Sequence, residues 1–210
     1  MSTALEKEEI ENIRYTYADY LAWDTEERYE IIGGEAYMMS APTVARQTIS
    51  GELFGQFWNF LKGKPCQVFA APLDVRLFPQ DDDSDDTVVQ PDLLVVCDGA
   101  KLADRRACRG TPDLVVEIVS SPNTSKAQLL KFNRYLRAGV REIWLIEPET
   151  RETQVHVAEE QAERTGGGLP RYMSSLYQND EPVDVSVLPG LRIDFGAVWN
   201  SVPGDGAKGA

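Results

Sequence analysis

At 210 residues, 42% hydrophobic and 26% charged, the chain has the length and composition of one globular domain with a buried core. No run approaches the ~18 apolar residues of a membrane span, and the first residues, MSTALEKEEI, lack the basic and apolar regions of a signal peptide. A formal net charge of -13 argues against a dedicated nucleic-acid binder, which carries a basic footprint.

The three cysteines, Cys66, Cys97 and Cys108, form no CxxC pattern, and His156 is the only histidine. This argues against a disulfide framework and a structural zinc site, and favours a reducing cytoplasm. Five of the six residues 81–86 are aspartates, which reads as a solvated loop. Lys101, Arg105, Arg106 and Arg109 form a short basic patch further on.

In chain order, Thr16 is the expected N-cap of a first helix carrying Ala18, Tyr20, Leu21 and Trp23. Tyr29–Ile32 reads as a strand, and Gly33-Gly34 as the hairpin turn into Glu35–Met39. Ile49, Leu53, Phe57, Phe60 and Leu61 recur with helical spacing and predict an amphipathic helix over 43–62. Segments 66–71 and 73–78 are strand-like around Pro72. In the second of them Asp74 and Arg76 alternate with Val75 and Leu77, which predicts one wet face.

Two apolar runs follow, Asp92–Val96 and Leu114–Val119, joined by a charged connection over 98–110 that reads as irregular. Ser125–Ala138 is the next helix, with Leu129, Phe132 and Leu136 as its apolar stripe and Gly139 as its C-cap. Arg141–Glu147 and Thr153–Ala158 form a strand pair. Residues 159–169 read as a loop, and short strands over 171–178 and 184–187 lead to Ile193 and a final helical turn. The order predicts a mixed α+β fold around one sheet.

The chemistry concentrates in the two apolar runs. The first begins at Pro91-Asp92, and the second holds Glu117 between Val116 and Ile118, 25 residues later (117 − 92). A carboxylate inside an apolar run is costly to bury unless it is paired or binds a metal. Magnesium takes hard oxygen ligands, often only one or two carboxylates completed by water and phosphate. Lys131, 14 residues past Glu117 (131 − 117), could orient an attacking water or stabilise phosphorane charge. Glu30, beside Ile31-Ile32, is a candidate third acid.

Each of these residues also has a structural reading. Asp92 would simply open a strand after Pro91, Glu117 would pair with an arginine, Lys131 would be a solvated lysine, and Glu30 an exposed strand-end glutamate. His156 alternates with Val155 and Val157 and reads as an ordinary strand residue. Nucleophile-elbow, P-loop and dinucleotide-binding motifs are absent from the sequence.

Pro91-Asp92, then Glu117 in an apolar strand, then a lysine resembles the PD-(D/E)xK nuclease superfamily. The pieces YEIIGGEAYMMSAP, APLDVRLF, VVQPDLLVVCD, TPDLVVEIVSSPNTS, KFNRYLRAGVREIWLIEPE and LPGLRIDF, in this order, resemble more closely the Uma-two family of restriction-endonuclease-like proteins. The resemblance implies one restriction-endonuclease-like domain over 1–202, a mixed sheet flanked by helices with extra C-terminal hairpin strands; the tail, 203–210 (PGDGAKGA), reads as disordered from its composition. It implies magnesium, with manganese as a substitute, held by Asp92 and Glu117.

Lys131 and Glu30 match the family's remaining catalytic positions, and Gln90 matches a common glutamine. The superfamily's strand lysine is absent, because Val119 stands two residues after Glu117. Three positions depart from the family pattern: an extra serine in Ser120-Ser121-Pro122, Ala127 in place of an aspartate, and Gln47 in place of a histidine. The implied function is a DNA endonuclease in the cytoplasm, without membrane partners and with a homodimer open. The departures and the acidic charge keep a second reading alive: a weakly active or inactive nuclease fold serving as a binding or accessory module in mobile-element or defence systems.

Overall fold

The computed structural model describes residues 13–119, 126–159 and 170–203. Helix α1 (Tyr17–Ala22) starts at a capping box. The Thr16 hydroxyl accepts from the Asp19 amide, and the Asp19 carboxylate accepts from the Thr16 amide at 2.8 Å. Strands β1 (Tyr29–Ile32) and β2 (Glu35–Met38) close a two-residue hairpin. Gly33 and Gly34 both take positive φ, 61° and 81°, as a turn that follows the strand twist requires. Helix α2 (Val44–Leu61) buries Ile49, Leu53, Phe57 and Leu61, the expected stripe.

Strands β3 (Gln67–Ala70), β4 (Asp74–Arg76), β5 (Thr87–Val89) and β6 (Leu93–Val96) follow. After a 3-10 turn, Gly99–Leu102, come β7 (Ala107–Arg109), β8 (Leu114–Ile118), α3 (Lys126–Ala138), β9 (Glu142–Glu147) and β10 (Glu152–Ala158). The chain ends with β11 (Tyr172–Gln178), β12 (Val183–Asp184), β13 (Arg192–Ile193) and α4 (Phe195–Ser201). The expected tail falls almost wholly outside the described residues, as do Ser120-Ser121-Pro122.

The mixed α+β class holds, but the strands form two large sheets rather than one. The first runs β2-β1-β5-β4-β7, the second β11-β10-β9-β8-β6-β3, and β12 pairs with β13 apart from both. The chain crosses between the large sheets at Pro72, from β3 to β4, and again at Pro91, from β5 to β6. Proline has no N–H to continue a ladder, which suits a crossing point. Strands β8 and β9 are parallel, with α3 as their crossover, while β6 pairs antiparallel with β8.

Residue parity sorts the second sheet. Leu114, Val116, Ile118, Leu93 and Val95 pack with the α2 stripe and with Phe195 and Val198 of α4. Val115, Leu94 and Val96 pack on the other face with Tyr135 of α3 and with Ile32, Val75 and Val89 of the first sheet. Both faces are covered, so β6 and β8 are continuous apolar runs. Glu117 shares the parity of Val115 and so lies on the face of α3.

Several expectations change here. The predicted wet face of β4 is dry at Arg76. Its guanidinium is 2% exposed, and it binds Asp85 through Nε at 2.9 Å and Asp83 through Nη1 at 2.8 Å. The acidic loop is therefore only partly solvated, because Asp85 is buried as that counter-ion. Residues 98–110 are not irregular; β7 pairs parallel with β4. On α3, Leu129 is 56% exposed, and Lys131 and Tyr135 take the fully buried positions. Cys66 and Cys97 form a disulfide, contrary to the expectation from their spacing. The pairing of Gln67 with Val96 puts them next to each other across two antiparallel strands, which a 31-residue separation does not reveal. Cys108 is free and buried.

Candidate active site

The site forms where the chain crosses from the first sheet to the second. Leu93 pairs with Val116, and one further step in that register sets Asp92 opposite Glu117. Asp92 Oδ2 accepts the Ile118 amide at 2.7 Å, so its carboxylate is fixed to the backbone of β8. Both of its oxygens are gripped by Arg46, which stands in the first turn of α2: Nε to Oδ1 at 2.7 Å and Nη2 to Oδ2 at 2.9 Å. Thr43, the N-cap of α2, accepts the Arg46 amide at 3.2 Å and anchors the start of that side chain.

Lys131 sits at the centre. Its ammonium is 2.5 Å from Glu30 Oε1 and 2.8 Å from Glu117 Oε1, and it donates to the Gln90 carbonyl at 3.3 Å. An ammonium has three protons, and all three have acceptors here. Tyr135, one turn further along α3, donates its hydroxyl to Glu117 Oε1 at 2.6 Å. Glu30 Oε1 also accepts the Gln90 amide at 2.6 Å. With Arg46, five remote segments therefore converge on this one buried cluster.

Gln90 locks the crossing point. Its side chain accepts from Arg28 and donates to Asp74 at 2.8 Å and to the Tyr20 hydroxyl at 3.3 Å. With main chain and side chain both held, the Gln90–Asp92 segment has little freedom to drift.

Charge does not balance inside the cluster. Glu30, Asp92 and Glu117 face Lys131 and Arg46, three carboxylates to two cations. Burial raises the Glu117 carboxyl to about 7; Lys131 opposes the rise, and Asp92 and Glu30 add to it. Burial pulls the Lys131 ammonium down, but Glu117 and Glu30 outweigh it, and Lys131 stays charged. Burial also pushes the Tyr135 hydroxyl well above its usual value, so it remains a donor.

A family described as "Putative restriction endonuclease" matches residues 17–196. The chain belongs to that family. None of the curated proteins matches the chain. Among solved structures it is similar to one described as a "putative nuclease belonging to DUF820" from Anabaena variabilis ATCC 29413. That likeness has a TM-score of 0.66 at 20% identity, and covers 90% of this chain and 99% of the other. It carries the fold alone: mixed sheets flanked by helices.

All four residues singled out from the sequence, Glu30, Asp92, Glu117 and Lys131, lie in this one buried cluster. Gln90 joins them, and Asp74 is nearby through Gln90. His156 stands apart, with Nδ1 at 2.7 Å from the Ser174 hydroxyl and its ring against Phe132. Two members were missed. Tyr135 stands at i+4 from Lys131, and that spacing on a helix was the available signal. Arg46 gave none, because its contact spans 46 residues of sequence. Gln47, where the family pattern places a histidine, is exposed.

For the implied metal, donor chemistry fits, because Asp92 and Glu117 are hard oxygen ligands and magnesium often uses only two carboxylates. Among the described residues, no group of three or more His, Cys, Asp or Glu side chains is arranged to hold a metal. An ion here would rest on those two acids, water and substrate. No described helix is long and apolar enough to cross a membrane.

Proposed function

We propose that the chain is a magnesium-dependent endonuclease that hydrolyses phosphodiester bonds of DNA, with manganese as a working substitute. The observation that carries this reading is the buried cluster in which Lys131 bridges Glu30 and Glu117 beside Asp92. Three carboxylates held against two cations leave a negative excess suited to one more cation. Asp92 and Glu117 would hold the ion, which would polarise the phosphate and acidify a bound water.

The protein's own groups set the geometry. Lys131 and Tyr135 orient the Glu117 carboxylate, and Glu30 holds Lys131 from the other side. The longest of the Lys131 contacts, 3.3 Å to the Gln90 carbonyl, is the one that most easily yields to an attacking water. The Ile118 amide keeps Asp92 aimed at the same spot. A homodimer would present one site to each strand, and a cytoplasmic setting would give access to DNA, although the Cys66–Cys97 disulfide removes the cysteine argument for that compartment.

A second reading has a specific observation behind it. Asp92 is occupied by Arg46, and the chain carries a net charge of -13, both of which suit a binding or accessory module without turnover. Nicking of supercoiled plasmid with magnesium or manganese separates the two. The expected result is nicking by the wild type that is lost in Asp92→Asn and in Glu117→Gln. A folded wild type that leaves the plasmid intact with either ion would overturn the nuclease reading in favour of the accessory one.

A further inference from the structure

Arg46 is the solvent-facing member of the cluster. Its side chain is 25% exposed, against 4% for Lys131. An ionised carboxylate offers about four lone-pair sites. On Asp92 three are taken, by Arg46 Nε, Arg46 Nη2 and the Ile118 amide. The amide is part of β8 and cannot leave; the guanidinium is on a long side chain and can. A divalent ion at Asp92 needs the lone pairs that Arg46 holds, and it would be repelled by a guanidinium a few ångströms away. The two cations therefore compete for one carboxylate.

A phosphate diester offers a guanidinium the same bidentate geometry as a carboxylate. It would arrive from the open side of the site, where Arg46 meets solvent. Resting on the nuclease reading above, we propose that Arg46 occupies the cation position at Asp92 in the substrate-free protein and transfers to a backbone phosphate when nucleic acid binds. Ion binding and phosphate binding are then coupled, and the free protein is held off the metal. Arg46 touches the substrate only after it has left Asp92.

The test is a calorimetric titration of the full chain with manganese, alone and with a short DNA duplex carrying uncleavable phosphorothioate linkages. Wild type, Arg46→Ala and Arg46→Gln are compared; the glutamine variant retains a hydrogen-bond donor for Asp92 and guards against a folding failure. The expected result is manganese affinity tighter on the order of tenfold in the Arg46 variants than in the wild type without DNA. The duplex should close that gap by tightening the wild type alone.

Equal manganese affinity in folded wild type and both variants would overturn the proposal. So would a duplex that tightens all three alike. Adding Asp92→Asn to Arg46→Gln tells the two failures apart. If tight binding persists in that double variant, the acids are not the ion's ligands and the nuclease reading falls as well. If binding needs Asp92 but ignores Arg46, only the exchange is wrong.

Discussion

Two buried ion clusters in this protein look alike in composition and differ in design. In the first, Arg76 binds Asp85, Asp83 and the Gln80 carbonyl, all within ten residues of itself, and its guanidinium lies 4.2 Å over the Tyr17 ring. The group is built by one loop folding back on β4. In the second, Glu30, Asp92, Glu117, Lys131 and Arg46 come from β1, the β5–β6 crossing, β8, α3 and α2, carboxylates outnumber cations, and one cation faces solvent. A cluster that only stabilises has no reason to draw on five segments or to leave one cation facing solvent. Buried ions are weak evidence of stability by themselves; origin and access to solvent tell a locking cluster from a working one.

The sharpest way to break the comparison is to remove the central cation of each. Lys131→Met strands Glu30 and Glu117, and Arg76→Met strands Asp85. Each should cost about 3–5 kcal/mol, the usual consequence of leaving a buried charge unpaired, read from urea unfolding. The difference should appear in nicking activity per folded molecule. Arg76→Met should retain it, and Lys131→Met should lose it. Loss of activity in folded Arg76→Met would show that the first cluster also serves the chemistry.

The charge excess makes the next test a pH dependence. The folded-state Glu117 carboxyl, at about 7, lies above its ordinary 4.5 because it is buried. The unfolded chain therefore releases this proton first as pH rises. The stability tied to protonated Glu117 is fully present below about pH 4.5 and is lost as pH climbs toward 7. The full span corresponds to about 3 kcal/mol, as an order of magnitude. Glu117→Gln, neutral and close in shape, should flatten that slope when urea melts of the two proteins are compared. An unchanged slope would place the titrating excess on another group.

The same contrast between local and remote explains what the sequence disclosed. Helix α2, the N-cap at Thr16 and the Gly33-Gly34 hairpin rest on neighbours within a few residues, and their residue types alone predicted them. The site acids were legible because a carboxylate inside an apolar run is out of place whatever it pairs with. Lys131 was singled out with them, though only the position of α3 shows that it is buried between Glu30 and Glu117. Arg46 was not legible, because it looks like any first-turn arginine until Asp92 is brought to it. The division into two sheets was hidden for the same reason, since strand order in the chain does not say which edge each strand joins. The Cys66–Cys97 bond depends on that edge as well, because only the β3–β6 register brings the two together.

Tyr135 gives the finest test, because it touches the working cluster without changing its charge. Its hydroxyl donates to Glu117 Oε1 at 2.6 Å inside a fully buried setting. Tyr135→Phe preserves the ring packing against the second core layer and removes only that donor. The loss of one hydrogen bond to an ionisable group should cost about 2 kcal/mol where Glu117 is ionised. It should cost less in acid, where the carboxyl is protonated and needs the donor less. Removing a donor from the carboxylate disfavours its charged form, so the alkaline end of the Glu117 transition should move above about 7. Urea melts of Tyr135→Phe across the acid and neutral range read both effects. A stability loss that is uniform with pH would mean that the hydroxyl braces the helix rather than the charge on Glu117, and the cluster would then be held by Lys131 alone.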